Sequence, residues 1–143
     1  MIANTLPLIT WRWLKVNESL IELPEVKDQV SEIIAKENDK VSTLFDINDV
    51  EEGFSSRHTV INVKAMKNST VDLYYVARCH EENSALTDIN VDVEEGAVVN
   101  FIQIEAGAKR SVTNYRANLN GYKAQTNVES VYFVDNDNNL DIF

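Results

Sequence analysis

The side chains of this chain that could carry chemistry are few, and each has a plainer reading. Cys79 and His80 adjoin in sequence, and an exposed thiolate beside an imidazole can hold iron or accept sulfur transiently. A stable iron–sulfur cluster takes about four thiolates, and the chain has a single cysteine. Cys79 therefore reads as a small hydrophobe packed at a strand end. His58, between Arg57 and Thr59, has no cysteine or carboxylate at motif spacing and reads as a surface or turn residue. Asp88, Asp92, Glu94 and Glu95 suggest acid/base chemistry of the kind that cleaves polysaccharides. Asp88, Asn90 and Asp92 alternate with Ile89, Val91 and Val93, however, which turns the carboxylates to the outer face of a strand. Asp135, Asp137 and Asn139 occupy the first three ligand positions of a calcium loop, but Leu140 stands where the loop needs glycine, so the segment reads as a turn. There is no zinc spacing, phosphate-binding glycine loop or nucleophile elbow. No catalytic, cofactor-binding or metal-ligating residue is assigned from the sequence.

The elements that would position these groups fall into two zones. In residues 1–57 the pattern is mixed: Trp11 and Trp13 alternate near the start, Pro24 interrupts, and Val26, Val30, Ile33 and Ile34 recur at helical spacing between charges. That spacing predicts a short amphipathic helix over 25–40, followed by a strand or loop over 41–56. Residues 58–143 predict strands alone, rich in Val, Ile, Tyr, Phe and Thr, at 58–66, 70–78, 85–93, 97–105, 111–119, 128–134 and 140–143. Turn residues separate them, including Lys67-Asn-Ser69, Glu94-Glu-Gly96 and Asn120-Gly121.

These strands repeat. Val71-Asp-Leu-Tyr-Tyr-Val76 matches Val99-Asn-Phe-Ile-Gln-Ile104, and Leu86-Thr-Asp-Ile-Asn-Val91 matches Val112-Thr-Asn-Tyr-Arg-Ala117. Two looser matches set Val128 on Val99 and Leu140 on Thr113. Two strand types alternating at a near-constant interval predict a solenoid whose equivalent strands stack, and a parallel β-helix accommodates them better than a propeller with its longer blades. Each coil buries its inner face only against its neighbours. The N-terminal zone is thus expected to cap the first coil, with Trp11 and Trp13 packing there. The chain stops within an apparent strand, so a truncated solenoid that self-associates through its last edge, or is poorly ordered there, is expected.

Composition excludes several classes. With 13 basic and 23 acidic residues the net charge is -10, which opposes binding to nucleic acid or anionic lipid. No apolar run is long enough to span a bilayer, and no signal peptide opens the chain. One cysteine fits a reducing compartment, hence a cytoplasmic expectation.

The segments LPLITWRWLKVNE (6–18), GAVVNFIQI (96–104) and NLNGYKA (118–124) resemble the first half of a SufD-like member of the SufB/SufD family. The resemblance implies a right-handed parallel β-helix core, all-β with a small N-terminal α/β capping segment. It also implies a non-enzymatic scaffold for iron–sulfur cluster assembly, partnered by a SufB-like subunit and a SufC-type ABC ATPase. The cluster would be a transient product of the full complex, with no cofactor in this part. The family's helical ATPase-docking segment and its metal-handling Cys and His residues match nothing here, so no functional residue is carried over. The alternatives are a generic β-solenoid interaction module unrelated to iron–sulfur assembly and a fragment of a carbohydrate enzyme working through Asp88 or Asp92.

Overall fold

The computed structural model describes residues 2–3, 19–21, 23, 28–50, 56–135 and 137–142. Trp11 and Trp13 lie outside these. β1 (Ile2–Ala3) pairs antiparallel with β2 (Ser19–Leu20). The remaining strands are β3 (Asp28–Ala35), β4 (Lys40–Asp49), β5 (Ser56–Ala65), β6 (Thr70–Cys79), β7 (Ser84–Val93), β8 (Val98–Gly107), β9 (Arg110–Leu119), β10 (Gln125–Phe133) and β11 (Asn139–Ile142). They alternate between two sheets. The odd strands stack in the order β11-β9-β7-β5-β3 and the even strands in the order β10-β8-β6-β4, with every pair parallel. Two parallel sheets wound by one chain make a β-solenoid, each odd strand and the even strand after it forming one coil.

The helix expected over 25–40 is not there. Residues 28–35 form β3, which pairs in register with β5, Ile33 on Val63 and Ala35 on Ala65. Ile33 and Ala35 face the interior, and Val30 and Ile34 are exposed. The apolar spacing fits both periods over so short a run. The β-branched residues and an open ladder on β5 decide for the strand.

Alternation along each strand divides inside from outside. Ile61, Val71, Leu73, Ile89, Val91, Val99 and Phe101 fill the interior, and Phe101 stacks on Tyr115 with centroids 5.2 Å apart and planes 9° off parallel. The strong sequence repeats are true stacks: Val71 lies on Val99 and Leu86 on Val112. The looser ones are each displaced by two residues. Val128 stacks on Phe101 instead of Val99, and Leu140 on Ser111 instead of Thr113. A two-residue slip keeps every side chain on its own face, so hydrophobic pattern cannot detect it. Turn length sets the true register: β8 reaches β9 through only Ala108 and Lys109, whereas β6 reaches β7 through residues 80–83.

One edge of the solenoid is a column of stacked turns. Asn38, Asn68, Gly96 and Lys123 hold equivalent left-handed positions, at φ 64°, 57°, 69° and 59°. Asn38 N–H donates to the Lys67 carbonyl, Asn68 to Glu95 and Gly96 to Tyr122, each at 3.0 Å. Ile21 and Leu23 pack against Leu86 and Val112 on the outer face of the five-stranded sheet. This part of the N-terminal zone thus covers a side wall. Among the described residues no helix is long and apolar enough to cross a membrane.

Candidate functional site

The sequence-highlighted groups are not brought together. Cys79, the last residue of β6, points inward and is buried, while His80 opens the following turn and its Nδ1 accepts a hydrogen bond from the Glu82 N–H at 3.3 Å. Consecutive residues at a strand end point opposite ways, so the exposed thiolate–imidazole pair does not form. Burial pushes the Cys79 thiol pKa up despite the opposing charge of Arg57, which keeps the sulfur protonated.

His58 lies mid-strand in β5 and has a carboxylate after all. Its Nε2 is 2.9 Å from Asp88 Oδ2. The partner comes from the next coil, 30 residues on, a distance at which no short motif looks. Asp88 also accepts from Asn114 Nδ2 at 2.9 Å and Arg116 Nη1 at 3.1 Å. The rest of the acidic cluster disperses. Asp92 accepts from Asn118 Nδ2, while Glu94 and Glu95 engage the backbone N–H and the ammonium of Lys67. The carboxylates do face outward, each satisfied by a neighbouring coil. At the calcium-loop candidate, Asn138 N–H donates to the Asp135 carbonyl and Asn139 Nδ2 to that of Asp137. No group of three or more His, Cys, Asp or Glu able to hold a metal occurs among the described residues.

What sequence reasoning missed is a polar seam inside the solenoid. It runs along the edge where even strands end and odd strands begin. In the first coils, Arg57 Nη2 donates to Cys79 Sγ at 3.5 Å, and Tyr75 shares a 2.9 Å hydrogen bond with Thr87. One coil on, Gln103 Nε2 donates to Glu105 Oε2 at 2.7 Å and to Thr113 Oγ1 at 3.0 Å, while the Ser111 hydroxyl donates to Glu105 Oε1. Ser130 Oγ continues the line to Gln103 Oε1 at 3.4 Å. Glu105 is only 2% exposed. Burial pushes its carboxyl pKa up, against the pull of Ser111, Gln103 and the Arg57 charge.

The seam is not fully satisfied. Arg57 Nε and Thr59 Oγ1 are buried without a hydrogen-bond partner, although an unpaired buried donor costs about 1–3 kcal/mol. Arg57 also lines a cleft of about 460 Å³ with Gln29, Ile47, Asn48, Asp49 and Ser56, which is where the seam meets solvent. Gly107 closes the seam's edge: at φ 83°, a Cβ there would lie 1.9 Å from the Cys79 carbonyl oxygen. The arrangement holds polar groups, the Arg57 guanidinium among them, and a protonated thiol away from water. It presents no activated nucleophile.

The signal for the seam was available. With Val99 and Phe101 assigned inward, strand parity sends Gln103 and Glu105 inward too, and the repeat itself stacks Gln103 on Tyr75. Comparison with curated proteins and with solved structures gives no match. Residues 26–143 match the family described as SUF system FeS cluster assembly, SufBD core domain. That span contains every strand from β3 to β11 and the whole seam. The chain belongs to the SufB/SufD family and carries the core domain of the SUF system for iron–sulfur cluster assembly.

Proposed function

We propose that this chain is a SufD-like, non-catalytic scaffold of the SUF machinery, acting in the cytoplasm with a SufB-like subunit and a SufC-type ABC ATPase. The observation that carries the reading is the outer face of the four-stranded sheet. Leu44, Tyr74, Ile104, Val131 and Phe133 are exposed there on successive strands, Phe133 to 65% and Leu44 to 61%. Contiguous apolar surface of this kind marks a protein-binding site. The charges beside it are already paired, Lys40 with Asp72 at 3.2 Å and Arg78 with Asp46 at 2.5 Å. Amide and carboxylate ladders run along both walls, Asn100 on Asp72 at 2.8 Å beside the apolar patch and Asn90 on Asn62 at 3.1 Å on the other sheet. The SufD-like assignment is further supported by the single thiol, which is buried and held protonated. Cluster and iron are cargo of the assembled complex in this reading.

Anaerobic affinity capture with the tagged protein, from cells shown to express all SUF components, tests it. Recovery of a SufB-like subunit and an ABC-type ATPase is expected, with Ile104→Asp depleting the SufB-like subunit while leaving the unfolding transition in place. Recovery of neither partner by the parent protein overturns the reading.

A further inference from the structure

The turn joining β9 to β10 carries the one Asn-Gly pair of the chain, Asn120-Gly121, and both residues are exposed. The backbone around the pair is anchored. Asn120 N–H donates to the Val93 carbonyl at 2.8 Å, Gly96 N–H to Tyr122 at 3.0 Å and Ala124 N–H to Gly121 at 3.2 Å. The Asn120 side-chain amide and the Gly121 N–H make no hydrogen bond among the described residues. Glycine is obligatory at 121, since a Cβ would lie 2.6 Å from both the Cα and the N of Glu95. Its lack of a side chain leaves the Gly121 nitrogen open to its neighbour. Other asparagines that precede a small residue are restrained. Asn68 Nδ2 donates to Asn38 Oδ1 at 3.4 Å, and Asn83 Nδ2 to the Asp49 carbonyl at 3.2 Å.

We propose that Asn120 is a site of spontaneous backbone modification. The Gly121 nitrogen loses its proton to solvent and attacks the Asn120 side-chain carbonyl carbon. A carbon–nitrogen bond forms, the side-chain nitrogen leaves as ammonia with that proton replaced from water, and a cyclic succinimide results. Water then opens the ring at either carbonyl, leaving aspartate or, with the main chain rerouted through the side chain, isoaspartate. Only water is consumed, and no redox partner is needed.

Both products bear on β10. Each adds a carboxylate next to Glu94 and Glu95, of which Glu95 alone has a cation within ion-pair distance among the described residues, Lys67. Isoaspartate also lengthens the main chain at a turn already in contact with Glu95, so the Gly96–Tyr122 hydrogen bond and the entry into β10 lose their register. Among the described residues β10 is held in its sheet by β8 alone, and it carries Val131 and Phe133 of the apolar wall. The modification thus ages the last even strand selectively.

The test incubates the folded full-length chain at mildly alkaline pH and follows it by intact mass, peptide mapping and labelling with an isoaspartate methyltransferase. The expected result is the mass shift of amide-to-acid conversion, located at Asn120, faster at higher pH, with Asn68 and Asn83 unchanged. Asn120→Ser should abolish both the shift and the label. In the converted fraction, hydrogen exchange of the β10 amides should accelerate while that of β6 stays the same. An unmodified Asn120 after a time in which the urea-unfolded chain has converted would overturn the proposal, as would equal conversion at Asn68. Conversion with unaltered β10 exchange would overturn the loosening.

Discussion

Glu105 and Asp88 are carboxylates of a single coil, on β8 and β7, one turned into the solenoid and the other out of it. Asp88 is opposed by its partial burial, yet the hydrogen bonds from Asn114 and His58 and the charge of Arg116 hold its carboxyl below the usual range. Glu105 has as many donors around it, but burial wins and its carboxyl rises. Coil stacking supplies partners on both faces alike, because the residue one turn on is always at hand. What differs is access to water and to a counter-ion at contact distance. Arg116 reaches Asp88 at 3.1 Å, while Arg57 influences Glu105 only through space. The same repeat therefore makes a wall outside that favours carboxylate charge and a polar seam inside where burial opposes it.

The largest effect should come from the apolar interior against which both polar regions are measured. Phe101→Ala removes a fully buried ring that stacks on Tyr115 and should cost about 3–5 kcal/mol in urea unfolding. Glu105→Ala comes next. It strips the acceptor from Gln103, Ser111 and Thr113 and should cost about 2–3 kcal/mol through stranded donors. Asp88→Ala should cost about 1 kcal/mol, since water reaches His58 and Arg116, two of the three partners left behind. A loss for Asp88→Ala equal to that for Glu105→Ala would break the distinction between wall and seam.

Acidity sharpens it further because the two signs are opposite. A carboxyl whose pKa is raised on folding favours the folded state at low pH and progressively loses that advantage as pH rises from the ordinary glutamate range through the folded value. A carboxyl whose pKa is lowered stabilises above the ordinary aspartate range and loses this as pH falls through the folded value. Glu105→Gln should thus flatten the decline of stability on the rising side, and Asp88→Asn the decline on the acid side. Chemical unfolding across the acidic-to-neutral range checks both. Identical slopes in the two variants would mean that the carboxylates sit in equivalent surroundings.

How far the sequence disclosed this follows from the period of each signal. Alternation with period two placed seven strands of the β-helix, and the strong repeats set their stacking, because inward and outward positions differ chemically at every step. The first coil was hidden at Val30, Ile33 and Ile34, where so short a run satisfies a helix and a strand equally. The registers of β10 and β11 were hidden because a slip of two residues leaves the facing unchanged. His58 and Asp88 were separated by a full coil, so no local spacing joined them. Gln103 and Glu105 were legible by parity. Their polar character concealed them, since polar residues are ordinarily assigned to the surface.

The smallest effect is expected where the wall looks strongest on paper. Arg78 Nη2 lies 2.5 Å from Asp46 Oδ1, the shortest distance among the ion pairs of the four-stranded sheet, but their side chains are 50% and 53% exposed. Water screens both charges, and ordering two long side chains consumes most of the attraction, so exposed pairs are worth about 0–1 kcal/mol. Arg78→Ala and Asp46→Ala should each fall within that range, with a coupling energy that fades as salt is added. Ser111→Ala inside the seam makes the matching measurement at a buried hydroxyl–carboxyl pair, and its loss should exceed that of Arg78→Ala and respond less to salt. Were the exposed pair the costlier of the two, exposure to water would not be what separates the wall from the seam, and the account of Glu105 and Asp88 would need a different cause.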